Sequence, residues 1–146
     1  MLADDLKSLL ASSYAFTIKA QYFHWNVEGP DFYQLHEFFG KVYEEVYASL
    51  DTIAELIRTL EEYTPGSFER FAELTVVQGQ TLVPRAELMI EELYENCNAM
   101  INLLNECFAS AEAENKQGIA DFVAGRIDAL EKHKWMLRSF TKKDRA

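Results

Sequence analysis

Residues 23–31 read Phe23-His24-Trp25-Asn26-Val27-Glu28-Gly29-Pro30-Asp31, and they separate two runs of apolar residues. In both runs the apolar positions advance by three and four, which is the spacing of one face of an α-helix. Glycine favours the C-terminal cap of a helix, and proline stops its propagation. Because so short a break joins neighbouring helices, the stretch predicts an antiparallel pair. The apolar positions are Leu6, Leu9, Ser13, Phe16, Ala20, Phe23 and Val27 in the first run, and Phe32, Leu35, Phe39, Val42, Val46, Leu50, Ile53, Ile57 and Leu60 in the second.

The second half of the chain predicts another pair of helices. Pro84 opens the third helix, and a polar break over residues 112–118 separates it from the fourth. Residues 61–83, with one short helix over 68–74, have the length of a crossover rather than of a turn. Two antiparallel pairs joined by one long crossover resemble the ferritin-like four-helix bundle. The inward positions are Met89, Leu93, Cys97, Met100, Leu104, Cys107 and Ala111, and then Ile119, Val123, Ile127, Leu130, Leu137 and Phe140.

Composition agrees with an all-α fold in a single domain over residues 1–146. Of the 146 residues, 49% are hydrophobic, and there are only three prolines and six glycines. The apolar stretches are too short to span a membrane, and the first residues lack the pattern of a secretory signal. The net charge of -10 disfavours a general nucleic-acid binder and is compatible with attracting metal cations.

The two cysteines predict a reducing compartment. Cys97 and Cys107 are about 15 Å apart if they lie on one helix, which is too far for a disulfide. We therefore expect both to be reduced core residues of a cytoplasmic protein.

Four side chains in and after the opening stretch have the chemistry of metal ligands. The imidazoles of His24 and His36 and the carboxylates of Asp51 and Glu55 suit a transition metal such as iron. Asp51 and Glu55 are four residues apart, so on a helix both carboxylates lie on one face. If residues 31–60 form one helix, His36 and Asp51 are about 22 Å apart. Either this is no site, or the site is built between two chains.

A two-fold axis would bring the two halves together. The histidines lie at one end of the predicted helical pair, and the carboxylates lie toward the other end. If the second helices of two copies pair antiparallel, the histidines of each copy meet the carboxylates of the other, giving two identical sites. Spacing alone leaves the alternative open, because single histidines and Asp/Glu pairs also occur on solvated surfaces.

A metal centre inside the bundle is not expected. Such centres in ferritin-like proteins use Glu-x-x-His on two helices. The residues three positions before the three histidines of this chain are Gln21, Tyr33 and Leu130.

The run from Tyr22 to Glu55 resembles the signature of the Dps family, the mini-ferritins first known as DNA-protecting proteins of starved cells. That family pairs an HWN-x-x-GP segment with LH-x-x-F, and D-x-x-x-E follows one helix-length later. Residues 131–138 also resemble the family's fourth helix. The matching residues here are His24-Trp25-Asn26, Gly29-Pro30, Leu35-His36, Phe39, Asp51 and Ala54-Glu55.

The resemblance implies a hollow dodecamer with ferroxidase centres at its two-fold interfaces. There Fe(II) is oxidised, preferentially by hydrogen peroxide, and it is stored as ferric mineral, which protects against oxidative damage. By motif position, His24 and His36 come from one subunit, and Asp51 and Glu55 come from its neighbour. Trp25 is expected beside the centre.

Two positions depart from the family pattern. Gly40 stands where the family often has an acidic residue that helps to hold a second, weaker iron, and Glu37 or Glu44 could substitute for it. Leu56 stands where the family commonly has arginine, and Arg58 could supply that charge only from another direction. We therefore expect one firm iron site per half-interface and leave the second open.

Two acidic residues of the fourth helix are candidates for a cation entrance. Asp121 and Asp128 are one heptad apart and share a face. The resemblance implies an acidic three-fold pore near this position and favours Asp121, whereas spacing alone is equally compatible with an ordinary solvated face.

Direct DNA binding is expected to be weak or absent. Lys/Arg-rich tails bind DNA by neutralising phosphates. The N-terminal segment has Asp4, Asp5 and a single Lys7, and the basic C-terminus of Lys142, Lys143 and Arg145 is interrupted by Asp144.

Three functions are compatible with these features. The first is an iron-oxidising and iron-storing mini-ferritin. The second is a protein that only sequesters iron or zinc, since zinc also accepts histidine and carboxylate ligands. The third is a DNA-compacting shell with a vestigial metal site.

Overall fold

The computed structural model describes residues 1–141, which form an α-helical structure without strands. Most of these residues are helical, as the periodicity predicts. The helices are α1 (Leu2–Asn26), α2 (Phe32–Tyr47), α3 (Leu50–Thr59), α4 (Phe68–Leu74), α5 (Ala86–Ala113) and α6 (Gln117–Thr141).

The predicted bundle is confirmed. Helix α1 packs against α2, α3, α4 and α5, and α5 packs against α6. Between α1 and α2, Gly29 has a φ of +119°, a conformation that side chains rarely allow, and its carbonyl accepts a hydrogen bond from the Phe32 N–H at 3.0 Å. The glycine therefore reverses the chain within a few residues and brings the end of α1 beside the start of α2.

The prediction of one unbroken helix over residues 31–60 is wrong. The helical hydrogen-bond pattern is interrupted at Ala48 and Ser49, where Ser49 donates both its N–H (3.0 Å) and its Oγ–H (2.6 Å) to the Val46 carbonyl. Because both residues keep helical dihedral angles, the chain bends instead of reversing. The metal-ligand candidates Asp51 and Glu55 thus lie on α3, beyond a bend that follows the helix of His36.

The core contains nearly all of the predicted inward positions. Every such position of α1 and α5 is buried, and Phe16, Phe23 and Phe39 are the largest fully buried side chains. Two predictions were wrong because the side chains are exposed, Phe32 at 45% and Phe140 at 40%, and the predicted inward positions Leu60 and Ile127 are only half-buried. Both phenylalanines lie near helix ends, where fewer neighbouring helices are available to cover them.

The crossover between α3 and α5 is held against α1 by polar contacts. The Val76 N–H donates to Ser12 Oγ at 2.9 Å, and the Tyr22 hydroxyl donates to the Leu82 carbonyl at 2.7 Å. The buried ammonium of Lys19 donates to the Gln78 carbonyl and forms an ion pair with Glu92 on α5, each at 3.0 Å. These contacts fix the crossover along the helix that carries His24.

The turn between α5 and α6 is shorter than predicted and is closed by Asn115. This residue has a φ of +58°, and the N–H groups of Asn115 and Lys116 donate to the carbonyls of Glu112 and Ala111. This is the Schellman pattern that ends many helices. At the other end of α5, Pro84 lies two residues before the first helical residue, Ala86, so the helix begins slightly later than predicted.

Both cysteines are free and buried, as predicted. Burial raises the pKa of the Cys97 thiol and of the Cys107 thiol to about 12. Each thiol therefore stays protonated and unreactive inside the bundle.

Within residues 1–141, no helix has the length and apolar character needed to cross a membrane. The basic C-terminal residues Lys142, Lys143 and Arg145, with Asp144, lie outside the described part of the chain.

Candidate metal centre

The turn at Gly29 brings His24 and His36 into direct contact. Their rings are stacked, with centroids 3.9 Å apart and planes inclined by 12°. His24 Nδ1 lies 2.6 Å from the main-chain carbonyl oxygen of His36, and His36 Nδ1 lies 2.7 Å from that of His24. The end of α1 and the start of α2 are thus joined by a reciprocal pair of side-chain hydrogen bonds.

These two bonds determine where the protons are. A carbonyl oxygen can only accept, so each Nδ1 must carry the hydrogen and donate it. In the neutral ring, the lone pair then lies on Nε2, the nitrogen through which such a histidine binds a metal. Both histidines are half-buried residues. One chain therefore presents two neighbouring histidine rings whose tautomers are already set.

Aromatic side chains surround the histidine pair. Phe32 stacks on His36 with centroids 5.3 Å apart, and Tyr43 lies at a tilt to His24 at 5.5 Å. Phe32 was predicted to lie in the core, but its ring packs on the His36 ring instead. These neighbours restrict ring rotation on both sides of the pair.

The acidic half of the predicted ligand set lies on α3. Asp51 and Glu55 are both exposed, and Asp51 borders a small recess between Tyr14 and Tyr47. Among residues 1–141 of one chain, no three His, Cys, Asp or Glu side chains are grouped closely enough to hold a metal ion. The fold thus brings the two histidines together and leaves the two carboxylates apart from them.

An apolar groove adjoins the histidine end of α1. Trp25, which is 65% exposed, forms part of its wall, and the groove has a volume of about 490 Å³. It runs between α1 and the crossover, with Ile18 and Phe68 as further exposed apolar members. Trp25 is next to His24 in the chain and directs a large apolar surface outward at the predicted site.

The comparisons with known proteins agree with this architecture. The family model of the ferritin-like domain matches residues 3–146. A Bacillus anthracis protein named DNA protection during starvation protein 2 is 33% identical over 122 residues, covering 84% of this chain and 84% of its own length. The crystal structure of Dps from Staphylococcus aureus superposes with a TM-score of 0.94 and 26% identity, covering 98% of this chain and 96% of that one. The chain belongs to the Dps family.

A second Dps structure links this fold to a class of metal-binding proteins. The Dps protein of Vibrio cholerae O1 is described as a member of a broad superfamily of ferritin-like diiron-carboxylate proteins. It superposes on this chain with a TM-score of 0.92 and 25% identity, covering 97% of this chain and 89% of that one.

The bundle of this Dps-family chain also contains an ion network that the sequence reasoning missed. Glu45 of α2 accepts hydrogen bonds from the Arg126 guanidinium through both of its oxygens, one of them at 3.2 Å, and from His133 Nε2 at 2.8 Å. Burial on its own raises the pKa of Glu45, but the hydrogen bonds from His133 and Arg126 and the nearby positive charge outweigh it and lower that pKa to about 2. The carboxylate is therefore ionised and already paired with a cation.

The network brings a carboxylate and an imidazole together inside this Dps bundle, and the carboxylate is also paired with an arginine. The Arg126 guanidinium contacts both oxygens of Glu45, and His133 Nε2 contacts one of the same oxygens. The sequence contains a signal that could have predicted this network. Arg126 and His133 fit the inward spacing of α6, because the positions Val123, Arg126, Leu130, His133 and Leu137 advance by alternating steps of three and four. The prediction placed Ile127 inward instead, whereas Ile127 is half-buried and Arg126 is buried.

The two candidate pore residues are exposed. Asp121 and Asp128 lie on α6 with the seven-residue spacing that puts them on one face. A single chain of the Dps family does not bring three copies of this face together, so the cation entrance stays a prediction.

Proposed function

We propose that this chain oxidises Fe(II) and stores the product as ferric mineral in a hollow oligomer of the Dps type. The observation that carries the proposal is the interlocked histidine pair, in which both Nδ1 atoms are hydrogen-bonded and neither Nε2 atom has a hydrogen-bond partner within residues 1–141. The pair occurs in a fold that matches Dps structures over nearly its whole length. Nitrogen donors of this kind bind borderline metals such as Fe(II).

The complete site needs a second copy of the chain. His24 and His36 of one subunit supply nitrogen ligands, and Asp51 and Glu55 of its neighbour supply the carboxylates. Support comes from the single chain, in which the histidines are paired and the carboxylates are exposed on another helix. A two-fold contact would repeat the arrangement and create two equivalent sites.

The chemistry proposed at this site is electron transfer from substrate iron to peroxide. Hydrogen peroxide accepts one electron from each of two Fe(II) ions and, with two protons, leaves as water. The histidines and carboxylates hold the Fe(II) in place, and the carboxylates offset the added charge of Fe(III). Dioxygen is the slower alternative oxidant, and Zn(II) is a competing metal because it accepts the same ligands.

The oligomer proposed is a dodecamer. Its two-fold contact would cover exposed aromatic surface near the site, including Trp25 and Tyr47, and the apolar groove along α1. We further propose that Asp121 and Asp128 line a cation entrance where three subunits meet. The free cysteines support a reducing, cytoplasmic location, where removal of Fe(II) and peroxide would limit oxidative damage.

A combined iron-loading and mass experiment tests the function. Purified protein is mixed with Fe(II) and hydrogen peroxide, and separately with air, while Fe(III) absorbance and native mass are recorded. We expect rapid oxidation that is faster with peroxide, in an oligomer that retains the iron. Asp51→Asn should abolish the fast phase, whereas the control Asp4→Asn, at an exposed position of α1, should leave it unchanged. Metal uptake without oxidant consumption would indicate a sequestering protein instead.

DNA compaction is a weaker candidate. The relative from Bacillus anthracis is named for DNA protection, but this chain has a net charge of -10 and an acidic N-terminal segment. Charge of this sign opposes contact with phosphates. A gel shift at physiological salt should show no retained DNA, and a stable shift would favour the DNA-compacting alternative.

A further inference from the structure

Gly40 lies one helical turn after His36, and its missing side chain leaves the space that the His24 ring uses. A Cβ atom built on Gly40 would lie 3.1 Å from both Nδ1 and Cε1 of His24, and all of its nearest neighbours belong to that ring. Real Cβ atoms rarely come this close to another heavy atom. The other glycines of the bundle helices, Gly118 and Gly125, have nothing within 4 Å of the equivalent position.

The His24 ring has little freedom to move away from a side chain at position 40. The nitrogen that faces Gly40 is the same Nδ1 that donates to the His36 carbonyl at 2.6 Å. The ring is also stacked on His36 at 3.9 Å and contacts Tyr43 at 5.5 Å. A shift of a few tenths of an ångström would therefore change the hydrogen bond and the stacking together.

We infer that Gly40 is a positioning residue for His24. Its missing side chain leaves the space in which the His24 ring lies with Nε2 directed at the intersubunit metal. This inference rests on the proposed function and deepens it. The imidazole is rigid, so displacement at Nδ1 is transmitted to Nε2 on the other side of the ring. Groups that orient a metal-binding histidine commonly change metal affinity by roughly 10- to 100-fold when they are altered.

The same contact explains why this chain departs from the acidic residue that the family often has here. In this chain the ring lies in the space that any side chain at position 40 would use, an aspartate included. Position 40 therefore serves the firm iron site through His24, and it does not contribute a ligand to a second iron. Gly40→Asp should weaken the firm site without raising the number of metal ions bound.

The test compares Gly40→Ala with Gly125→Ala, a matched change at a helical glycine whose added Cβ meets nothing. The probe is anaerobic Co(II), a spectroscopic substitute for Fe(II), titrated into the intact oligomer, and native mass is measured on each sample. Ring ¹⁵N spectra of the metal-free proteins report the position of the His24 proton. We expect Co(II) to bind about tenfold more weakly to Gly40→Ala, with altered His24 ring signals, while Gly125→Ala stays within about twofold of wild type.

Unchanged Co(II) affinity and unchanged His24 ring signals in Gly40→Ala would overturn the inference. Failure of the wild-type oligomer to bind Co(II) through His24 would contradict the proposed function instead. The two failures are distinguishable, because the ring spectra are recorded without metal.

A second pair of variants tests the contact by thermal stability alone. In a His24→Ala background the Cβ of Gly40→Ala meets no ring, so alanine should raise the melting temperature by about 2–4 °C, as Gly125→Ala should. With His24 present, Gly40→Ala should lower it or leave it unchanged. Equal effects in the two backgrounds would show that the ring does not depend on the glycine.

Discussion

His24 and His36 each donate the Nδ1 proton to the other's main-chain carbonyl, and their rings stack at 3.9 Å. They are twelve positions apart in sequence, so the pair exists only because the Gly29 turn folds α2 back along α1. The consequence is that the nitrogen half of the proposed iron site forms within one subunit. The carboxylate half of the proposed site depends on assembly with a second subunit.

Acid should weaken the bundle through Glu45. The pKa of this carboxyl is about 2 in the folded chain, below its ordinary 4.5, so the folded state favours the ionised form. Its contribution to stability is fully present above pH 4.5 and is lost as the pH falls toward 2. Glu45→Gln should lower the unfolding midpoint at neutral pH and flatten its dependence on pH over that interval. Urea unfolding across pH 2–7 measures this effect.

The control for this prediction is Glu44→Gln, at the exposed neighbouring position. It should follow the wild-type pH profile. Equal profiles for Glu45→Gln and wild type would show that the network with Arg126 and His133 does not stabilise the fold.

Lys19 should be needed to hold the crossover. Its side chain is 4% exposed, and Lys19→Ala removes both the ion pair with Glu92 and the hydrogen bond to the Gln78 carbonyl. Hydrogen bonds that involve a charged group contribute about 1.5–3 kcal/mol to stability. Urea unfolding should show a loss of that size, while Lys41→Ala at an exposed position should stay within about 0.5 kcal/mol of wild type. Equal stabilities would mean that the crossover is held by its apolar contacts alone.

Both cysteine thiols should be inert in the native protein. Burial and a pKa of about 12 keep Cys97 and Cys107 protonated and out of contact with reagents. A chromogenic disulfide reagent should therefore detect no fast-reacting thiol at neutral pH and both thiols after denaturation. Rapid labelling of either cysteine in the folded oligomer would contradict the described burial.

Sequence reasoning predicted those features that depend on regular periodicity. The apolar stripes placed Phe16, Phe23 and Phe39 in the core, because burying one face of a helix requires a fixed spacing. The bend at Ser49 was missed, since it depends on local bonding of that side chain to Val46, which leaves the apolar spacing intact. The burial of Arg126 was missed because the neighbouring residue, Ile127, is apolar. A helical pattern with steps of three and four accepts either position, so the apolar residue was assigned to the core.

The candidate site divides in the same way. Residue chemistry and spacing indicated that His24 and His36 lie at one end of the helical pair. The sequence did not predict the stacking of the two rings, their tautomers or the role of Gly40. These features depend on the distance between α1 and α2, and residue spacing along the chain does not determine that distance. The pairing with Asp51 and Glu55 of a neighbour remains a prediction.

A mixed oligomer tests that prediction of shared sites most directly. His24→Ala and Asp51→Ala should each abolish fast Fe(II) oxidation when they assemble alone. Co-assembly at equal amounts should restore about a quarter of the wild-type sites, because an intact site needs the histidine of one chain and the aspartate of its partner. The measurement is the amplitude of the fast oxidation phase with hydrogen peroxide, on oligomers of confirmed mass and random composition. Recovery near one quarter supports sites shared between subunits, and no recovery in a correctly mixed oligomer would contradict them.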